Sequence, residues 1–362
     1  MENIIGKLCV IMKYLIGTSI LFITITLYIL FNPFDQKNQL SYDDEQEGIT
    51  QQIVIQFSHV VAENTPKGLA AQKFAQLISE KTDGLVKVEI FPNGTLFTDE
   101  EELDALRDNK VQMIAPSVSK MTKLAPEWGY YDLPFLFHDY DEIKTALSSD
   151  IGKKLLSLHE REGIHGLALW SNGFKQMTSN IRPLHTPKDF SGQRFRIMPS
   201  FILEEQFNQL KAVPVVVPFD QIYTSLKEEQ FDGQENTISN IYSRRLYGLQ
   251  NYMTISDHGF LGYAVLMNKE FWDRLPKNVQ TSLQEAMEET TEWMVAESEK
   301  MNKAQLEKIK EESSINVYEL SAEERAQWLK VLQPVYQTFL HSIKKDFMKE
   351  YMKKKIEEIE TL

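Results

Sequence analysis

Ile53-Val-Ile-Gln-Phe-Ser-His-Val-Val-Ala-Glu-Asn-Thr-Pro-Lys-Gly68 opens the regular part of the chain. Ile53 to Phe57 is a β-type run. Thr65-Pro66 reads as a helix N-cap followed by proline at the first helical position, where its missing N–H costs nothing. Ala70, Phe74, Leu77 and Ile78 then recur at helical spacing, and Gly84 closes the segment. Val86, Val88 and Ile90 alternate with Lys87 and Glu89, the pattern of a strand with one buried face. Thr98-Asp-Glu-Glu101 reads as a capping box before a helix that buries Leu103 and Leu106, and Val111 to Ala115 as a third strand. This β-α-β-α-β order calls for a parallel sheet.

A second set follows. Ile164 to Trp170 and Gln193 to Ile197 read as strands. Ser200 caps a helix whose Leu203, Phe207 and Leu210 share a face. Val213 to Val217 reads as a buried strand, Pro218 to Glu228 as a helix, and Gln234 to Thr237 as a polar corner opening another helix. Tyr252–Ser256 and Tyr263–Met267 are two further strand candidates. From Pro276 to about Glu311 a long helix runs with few breaks, too long for one small lobe. The expected architecture is α/β: a two-lobed clamshell of the periplasmic-binding-protein type (type II-like), with the long helix bracing both lobes. Lobe I takes residues 51–170 and about 263–295, and lobe II takes 171–262 and about 296–345. Residues 346–362 are a charged C-terminal tail.

The first fifty residues read as an address. Tyr14 to Phe31 carries no charge, and Lys7 and Lys13 precede it. As a helix it would span about 27 Å. With the basic residues inside, the body lies on the outer side. No small-residue cleavage site follows, and Cys9 precedes the apolar run, which argues against a lipid anchor. Residues 1–31 are therefore expected to be an uncleaved membrane anchor; the alternative is a cleaved signal, leaving a secreted or periplasmic protein. Residues 32–50, with Asp35, Asp43, Asp44, Glu45 and Glu47, read as an acidic tether.

Among 362 residues, 39 Lys and Arg stand against 52 Asp and Glu, a formal net charge of −13. Such a balance argues against a nucleic-acid partner, which needs a basic face. The single cysteine excludes a disulfide framework and a thiolate zinc site. Nucleophile-elbow, dinucleotide, phosphate-loop and zinc-protease motifs are all missing, so no catalytic residue, cofactor or metal is expected. What stands out is cationic and amide side chains at turns and strand ends. Arg194 and Arg196 alternate on one strand, and an arginine fork matches a carboxylate bidentately. Lys67 lies in the first turn of a helix, where anions are favoured. Lys175 follows Trp170-Ser-Asn-Gly-Phe174 at an expected strand end, and Asn236 and Asn240 lie one helical turn apart.

Seven ordered motifs carry a resemblance. They are Phe57 to Gly68, Phe91-Pro-Asn-Gly94, Asp132-Leu-Pro-Phe-Leu-Phe137, Asn172-Gly-Phe-Lys-Gln176, Gly192-Gln-Arg-Phe-Arg-Ile-Met198, Phe231-Asp-Gly-Gln-Glu-Asn236 and Asp257-His-Gly-Phe-Leu-Gly-Tyr263. From about Ile53 to beyond Tyr336 the chain resembles the DctP family, the extracytoplasmic solute-binding proteins of tripartite ATP-independent periplasmic (TRAP) transporters, and within it the C4-dicarboxylate branch of Gram-positive bacilli. The resemblance implies a two-lobed fold, no catalysis, and capture of succinate, fumarate or malate. It places the family's carboxylate-binding arginine on Arg196, its asparagine on Asn236 and a second cationic contact on Lys175. Lys67, Phe174 and His258 are implied to face the cleft, Lys67 or Lys175 meeting the second carboxylate. Arg194 and Asn240 are supporting residues. The expected partners are a small dicarboxylate and either TRAP membrane subunits or a sensor histidine kinase; the latter suits a protein held at the extracytoplasmic face. An enzyme acting on a small organic acid is the alternative from another class.

Overall fold

The computed structural model describes residues 52–360. No helix among them is long and apolar enough to cross a membrane. The expected anchor (1–31) and tether (32–50) lie outside the described residues.

The first unit is β1 (Ile53–Ser58), α1 (Pro66–Lys81), β2 (Val86–Phe91), α2 (Glu102–Arg107) and β3 (Met113–Ile114). β1 pairs in parallel with both β2 and β3, as the alternation required. The short α3 (Val118–Met121), α4 (Tyr140–Ser148) and α5 (Asp150–Leu156) lead to β4 (Ile164–Ser179). The second unit is β5 (Arg194–Ile197), α6 (Phe201–Gln209), β6 (Val213–Val216), α7 (Ile222–Lys227), β7 (Gly233–Thr237) and α8 (Ile238–Ser243). In it β5 runs parallel to β6 and β7. The chain returns through β8 (Tyr252–Asn268) and α9 (Lys269–Arg274), followed by α10 (Lys277–Glu312), β9 (Asn316–Glu319), α11 (Ala322–Ser342) and α12 (Asp346–Glu360).

The nine strands of the described residues form one sheet in the order β2-β1-β3-β8-β4-β7-β5-β6, with β9 on β8. Two parallel α/β halves are thus joined by the antiparallel pair β4 and β8. Each long strand serves both halves. One end of β8 pairs with β3 and the other with β9, while the far end of β4 pairs with β7. This sharing makes the fold two-lobed.

Several elements differ from the sequence reading. β4 continues nine residues past Trp170, and the two strand candidates at 252–256 and 263–267 are one strand. Polar residues broke the apolar runs: Ser171-Asn-Gly in one, Asp257-His-Gly in the other. Both stretches stay in the sheet through bulges. Gly173 carries one of them at φ +97°, and a Cβ there would lie 2.6 Å from the Tyr140 hydroxyl. Gln234 to Thr237 is not a corner but part of β7, buried along its whole length between β4 and β5; the corner comes at Thr237, the N-cap of α8. β6, expected to be buried, is the last strand of the sheet, with Val213 and Val216 more than half exposed. Pro214 is tolerated there because an edge strand leaves N–H groups unpaired. Of Val111 to Ala115 only Met113 and Ile114 are in a strand. Thr98 and Glu101 do pair, Glu101 accepting from the Thr98 amide and hydroxyl at 3.1 and 2.7 Å, but α2 begins one residue later, at Glu102. Ser200 has the extended N-cap backbone without a side-chain cap bond. The charged tail is helical through Glu360, and α12 buries Met348 and Met352.

The long helix is as expected. α10 reaches both halves: Lys73 and Lys81 of α1 lie 3.8 Å from Glu289, and Asn302 bonds both the Asn172 carbonyl of β4 and the Ser239 amide of α8, each at 2.8 Å. The apolar core has two parts. The larger surrounds Phe57, Phe74, Trp128, Trp170, Phe207 and Leu266. The smaller gathers Phe219, Ile222, Leu226, Ile241 and Met253 of the second half around Val60 and Val61 of the first.

Candidate binding site

Val60 and Val61 cross from one half into the core of the other on the loop from His59 to Thr65 that follows β1. It ends in an N-cap: the Thr65 hydroxyl accepts from the Gly68 amide at 3.2 Å and donates to the Ala62 carbonyl at 2.7 Å. Lys67 leaves the first turn of α1 directly beneath this loop. It is 1% exposed, donates to the Ala115 carbonyl at 2.8 Å, and lies 3.8 Å from the centre of the Tyr263 ring. Burial lowers its pKa to about 8, against the pull of Glu102 and Asp99.

Arg196 reaches the same space from β5. It is 1% exposed. Nε donates to the Val217 carbonyl at 2.8 Å, while Nη2 is buried with no hydrogen-bond partner. Burial lowers its pKa to about 10, opposed by Asp99, Glu235 and Asp220, so it stays charged. Asn236 on β7 and Asn240 on α8 are joined, the Asn240 amide donating to Asn236 Oδ1 at 2.8 Å. That oxygen also accepts from the Thr237 amide, so the Asn236 amide group is left for another acceptor. These four side chains line one small cavity, walled by Val60, Val61, Met198, Phe219 and Leu261. Ser117 and Tyr263 add hydroxyls, and Asp99 adds a carboxylate. Asp99 accepts from the buried Lys120 at 3.1 Å, and Lys120 also donates to Glu102 at 2.9 Å. Burial would raise Asp99, but Lys120 and the Phe219 amide hold it below the ordinary carboxylate range.

The other expected residues lie elsewhere. Lys175, fully buried within β4 rather than at a strand end, gives its ammonium to Glu235 Oε1 at 2.5 Å. His258 Nε2 meets the other Glu235 oxygen at 2.9 Å, and its Nδ1 meets the Ser256 hydroxyl at 2.7 Å. Burial alone would raise Glu235, but Lys175 and His258 hold it at about 2; burial lowers His258 despite Glu235. Glu235 precedes Asn236 on β7, and neighbouring strand residues face opposite ways. This triad therefore lies behind the cavity wall. Phe174 is buried edge-on against Tyr140 at 5.2 Å. Arg194 forks onto Asp232, at 2.6 and 3.2 Å, and is nearly half exposed.

Asp99, Ser117 and Tyr263 were missed as lining residues. In the sequence Asp99 lies inside the Thr98–Glu101 capping pattern and Tyr263 ends the Asp257–Tyr263 motif, positions that do not by themselves point to a cavity. The pairing of β8 with β3 and the Ser117–Tyr263 bridge bring Ser117 and Tyr263 together, while Lys120 and the Phe219 amide hold Asp99. The arrangement offers two buried cations, an amide pair and apolar walls, which suits a small anion with charge at more than one point.

Two lobes sharing a pair of long strands, with a cationic cavity lined from both, define an extracytoplasmic type of solute-binding protein. The chain belongs to family 7 of the bacterial extracellular solute-binding proteins, DctP, whose model matches residues 57–342. It is 50% identical to the C4-dicarboxylate-binding protein DctB of Bacillus subtilis, over 88% of this chain and 91% of that one. It is 44% identical to the C4-dicarboxylate-binding periplasmic protein DctP of Rhodobacter capsulatus, over 80% and 86%. Among solved structures, a TRAP periplasmic solute-binding protein from Shewanella oneidensis with bound succinate is similar at a TM-score of 0.79 and 39% identity, covering 82% of this chain and 97% of that one. One from Pseudomonas aeruginosa with bound L-malate is similar at 0.77 and 38%, covering 79% and 99%.

Proposed function

We propose that this protein captures a C4-dicarboxylate such as succinate, fumarate or malate outside the cell membrane and delivers it to TRAP membrane subunits. The observation that carries this is the pair of buried cations in one cavity, Arg196 with a free Nη2 and Lys67 with unused donors. Arg196 clamps one carboxylate, the Asn236 amide orients it, and Lys67 meets the other. Lys67 is the choice over Lys175 because the Lys175 ammonium is already held by Glu235. The names of the curated relatives and the ligands in the similar structures support the same ligand class. Closure uses the lobes as expected, 51–170 with about 263–295 against 171–262 with about 296–345; the division of β4 and β8 between the two halves supports that boundary.

Isothermal titration decides the clamp. Losing a buried charge-assisted pair costs about 2–5 kcal/mol, roughly 30- to several-thousand-fold in affinity. Arg196→Ala should abolish measurable dicarboxylate binding, Arg196→Lys should weaken it severely, and Arg194→Ala should cost far less. Near-wild-type affinity in folded Arg196→Ala would place the clamp elsewhere. Acetate and butyrate should bind much more weakly than succinate, since one cation would stay buried without a partner. Retention of residues 1–31 as an anchor is part of the proposal; intact-mass analysis showing a mature start between Phe31 and Thr50 refutes it. Co-purification from membranes separates TRAP subunits from a sensor kinase as the partner, and recovery of unchanged ligand after incubation separates a binder from an enzyme.

A further inference from the structure

Seven polar side chains line the cavity, and six of them can donate a hydrogen bond: Lys67, Arg196, Asn236, Asn240, Ser117 and Tyr263. Asp99 is the exception. A carboxylate is an acceptor only, and a cavity built for carboxylates has no evident use for one. We infer that Asp99 is a specificity-determining residue that accepts a hydrogen bond from a hydroxyl on the ligand's carbon chain, so that hydroxylated C4-dicarboxylates are preferred to plain ones. The inference rests on the dicarboxylate reading above.

Three observations support it. Asp99 keeps acceptor capacity: Oδ1 takes one bond from Lys120 at 3.1 Å and Oδ2 one from the Phe219 amide at 3.3 Å, and each oxygen can accept another. Its charge is locked in place, because Lys120 is buried with it and also bonded to Glu102. Asp99 also interacts electrostatically with both Arg196 and Lys67. Asp99 lines the same cavity as the two cations, so it faces the ligand whose ends they hold. The same cations argue for a hydroxyl over an ammonium, since Lys67, Arg196 and Lys120 all repel a further positive charge on the ligand. A plain diacid, by contrast, presents only C–H to Asp99 and meets its negative charge without a compensating bond.

Titration calorimetry with L-malate, succinate and 2-fluorosuccinate tests this. Fluorine resembles the hydroxyl in size but donates nothing. The wild type should bind L-malate at least about fivefold more tightly than succinate, with 2-fluorosuccinate the weakest. Asp99→Asn keeps the size and an oxygen for the Phe219 amide; it should bring the malate-to-succinate ratio toward one, largely by improving succinate. A ratio unchanged in folded Asp99→Asn, with both affinities lowered alike, would make Asp99 a closure contact only and overturn the inference. So would wild-type binding of 2-fluorosuccinate as tight as that of L-malate, a result that needs no variant. Failure of the wild type to bind any of the three would overturn the dicarboxylate reading itself, and this inference with it.

Discussion

The Lys67 ammonium is held in a place that does not favour charge, and this makes it responsive to pH. Its pKa in the fold is about 8, against 10.5 for a free lysine. Because the fold releases this proton more easily than the unfolded chain, Lys67 costs stability below about pH 8, and that cost shrinks as pH rises toward 10.5. Ligand affinity should move the other way. A carboxylate needs the ammonium, so dicarboxylate affinity should be full below about pH 8 and fall by up to tenfold per unit above it. Titrations at pH 7, 8 and 9 check this, and Lys67→Met should bind weakly with no such step. Glu235 has the opposite sign. Its pKa of about 2 lies below the unfolded 4.5, so its contribution is complete above pH 4.5 and lost as the pH falls toward 2. Buried His258, its pKa lowered, adds a loss that begins below its ordinary 6.5. Glu235→Ala would leave Lys175 buried and unpaired, at a cost of about 3–5 kcal/mol. Denaturant melts at pH 7 should show that loss, whereas Arg196→Ala, which removes no ion pair, should be nearly neutral. Residue chemistry was legible to this depth: Arg196 could be read from an alternating strand and Lys67 from a helix start. Lys175 could not be placed, because its partner Glu235 is sixty residues away and only the pairing of β4 with β7 joins them.

At the scale of elements, the helix start that carries Lys67 depends on one absent side chain. A Cβ on Gly68 would lie 2.5 Å from the carbonyl oxygens of Ala62 and Glu63, which are backbone atoms with nowhere to retreat. Gly68→Ala should therefore push the 60–65 loop outward, costing about 1–3 kcal/mol in stability and weakening ligand binding; thermal melts and calorimetry on one preparation measure both. Thr65-Pro66 and the alternation in β2 were readable because local patterns specify them. β4 and β8 read short from sequence because polar side chains interrupt their apolar runs. Asn172 and His258 are buried in the sheet with partners contributed by other segments, Thr237 and Ser239 for Asn172, and Glu235 for His258. β6 was misread for the converse reason: an apolar run says nothing about whether a strand has one neighbour or two.

Across the whole molecule, one of the contacts by which the two halves meet over the cavity is a guanidinium clasp. Arg244 Nη2 donates to the Val60 carbonyl at 2.8 Å, and its guanidinium lies 5.0 Å from the centre of the Phe219 ring. Val60 and Phe219 line the cavity, but Arg244 does not. Arg244→Ala should thus favour the open form without touching the ligand, lowering affinity about ten- to a hundredfold. The change should appear mainly in the dissociation rate, and stopped-flow displacement would show it. The net charge of −13 repels anions at long range while the cavity attracts them at short range. Raising the salt from low to moderate should therefore cost little affinity. The two-lobed plan was legible from the order of elements and the length of α10. The single sheet was not, because β3, β4, β7 and β8 associate over separations no local pattern encodes.

The shared strands also set the order in which the chain can become a protein. β3 cannot finish its half of the sheet until residues 266 and 267 arrive, and the end of β4 waits for residues 233–237. Such long sequence separations make for slow folding, since much loop entropy is lost before any pairing is gained. The first half cannot close on itself until the last hundred residues are being made. For a family that works outside the cell membrane, that delay is useful: a nascent chain unable to complete its sheet stays threadable, and its native form is deferred until the far side is reached.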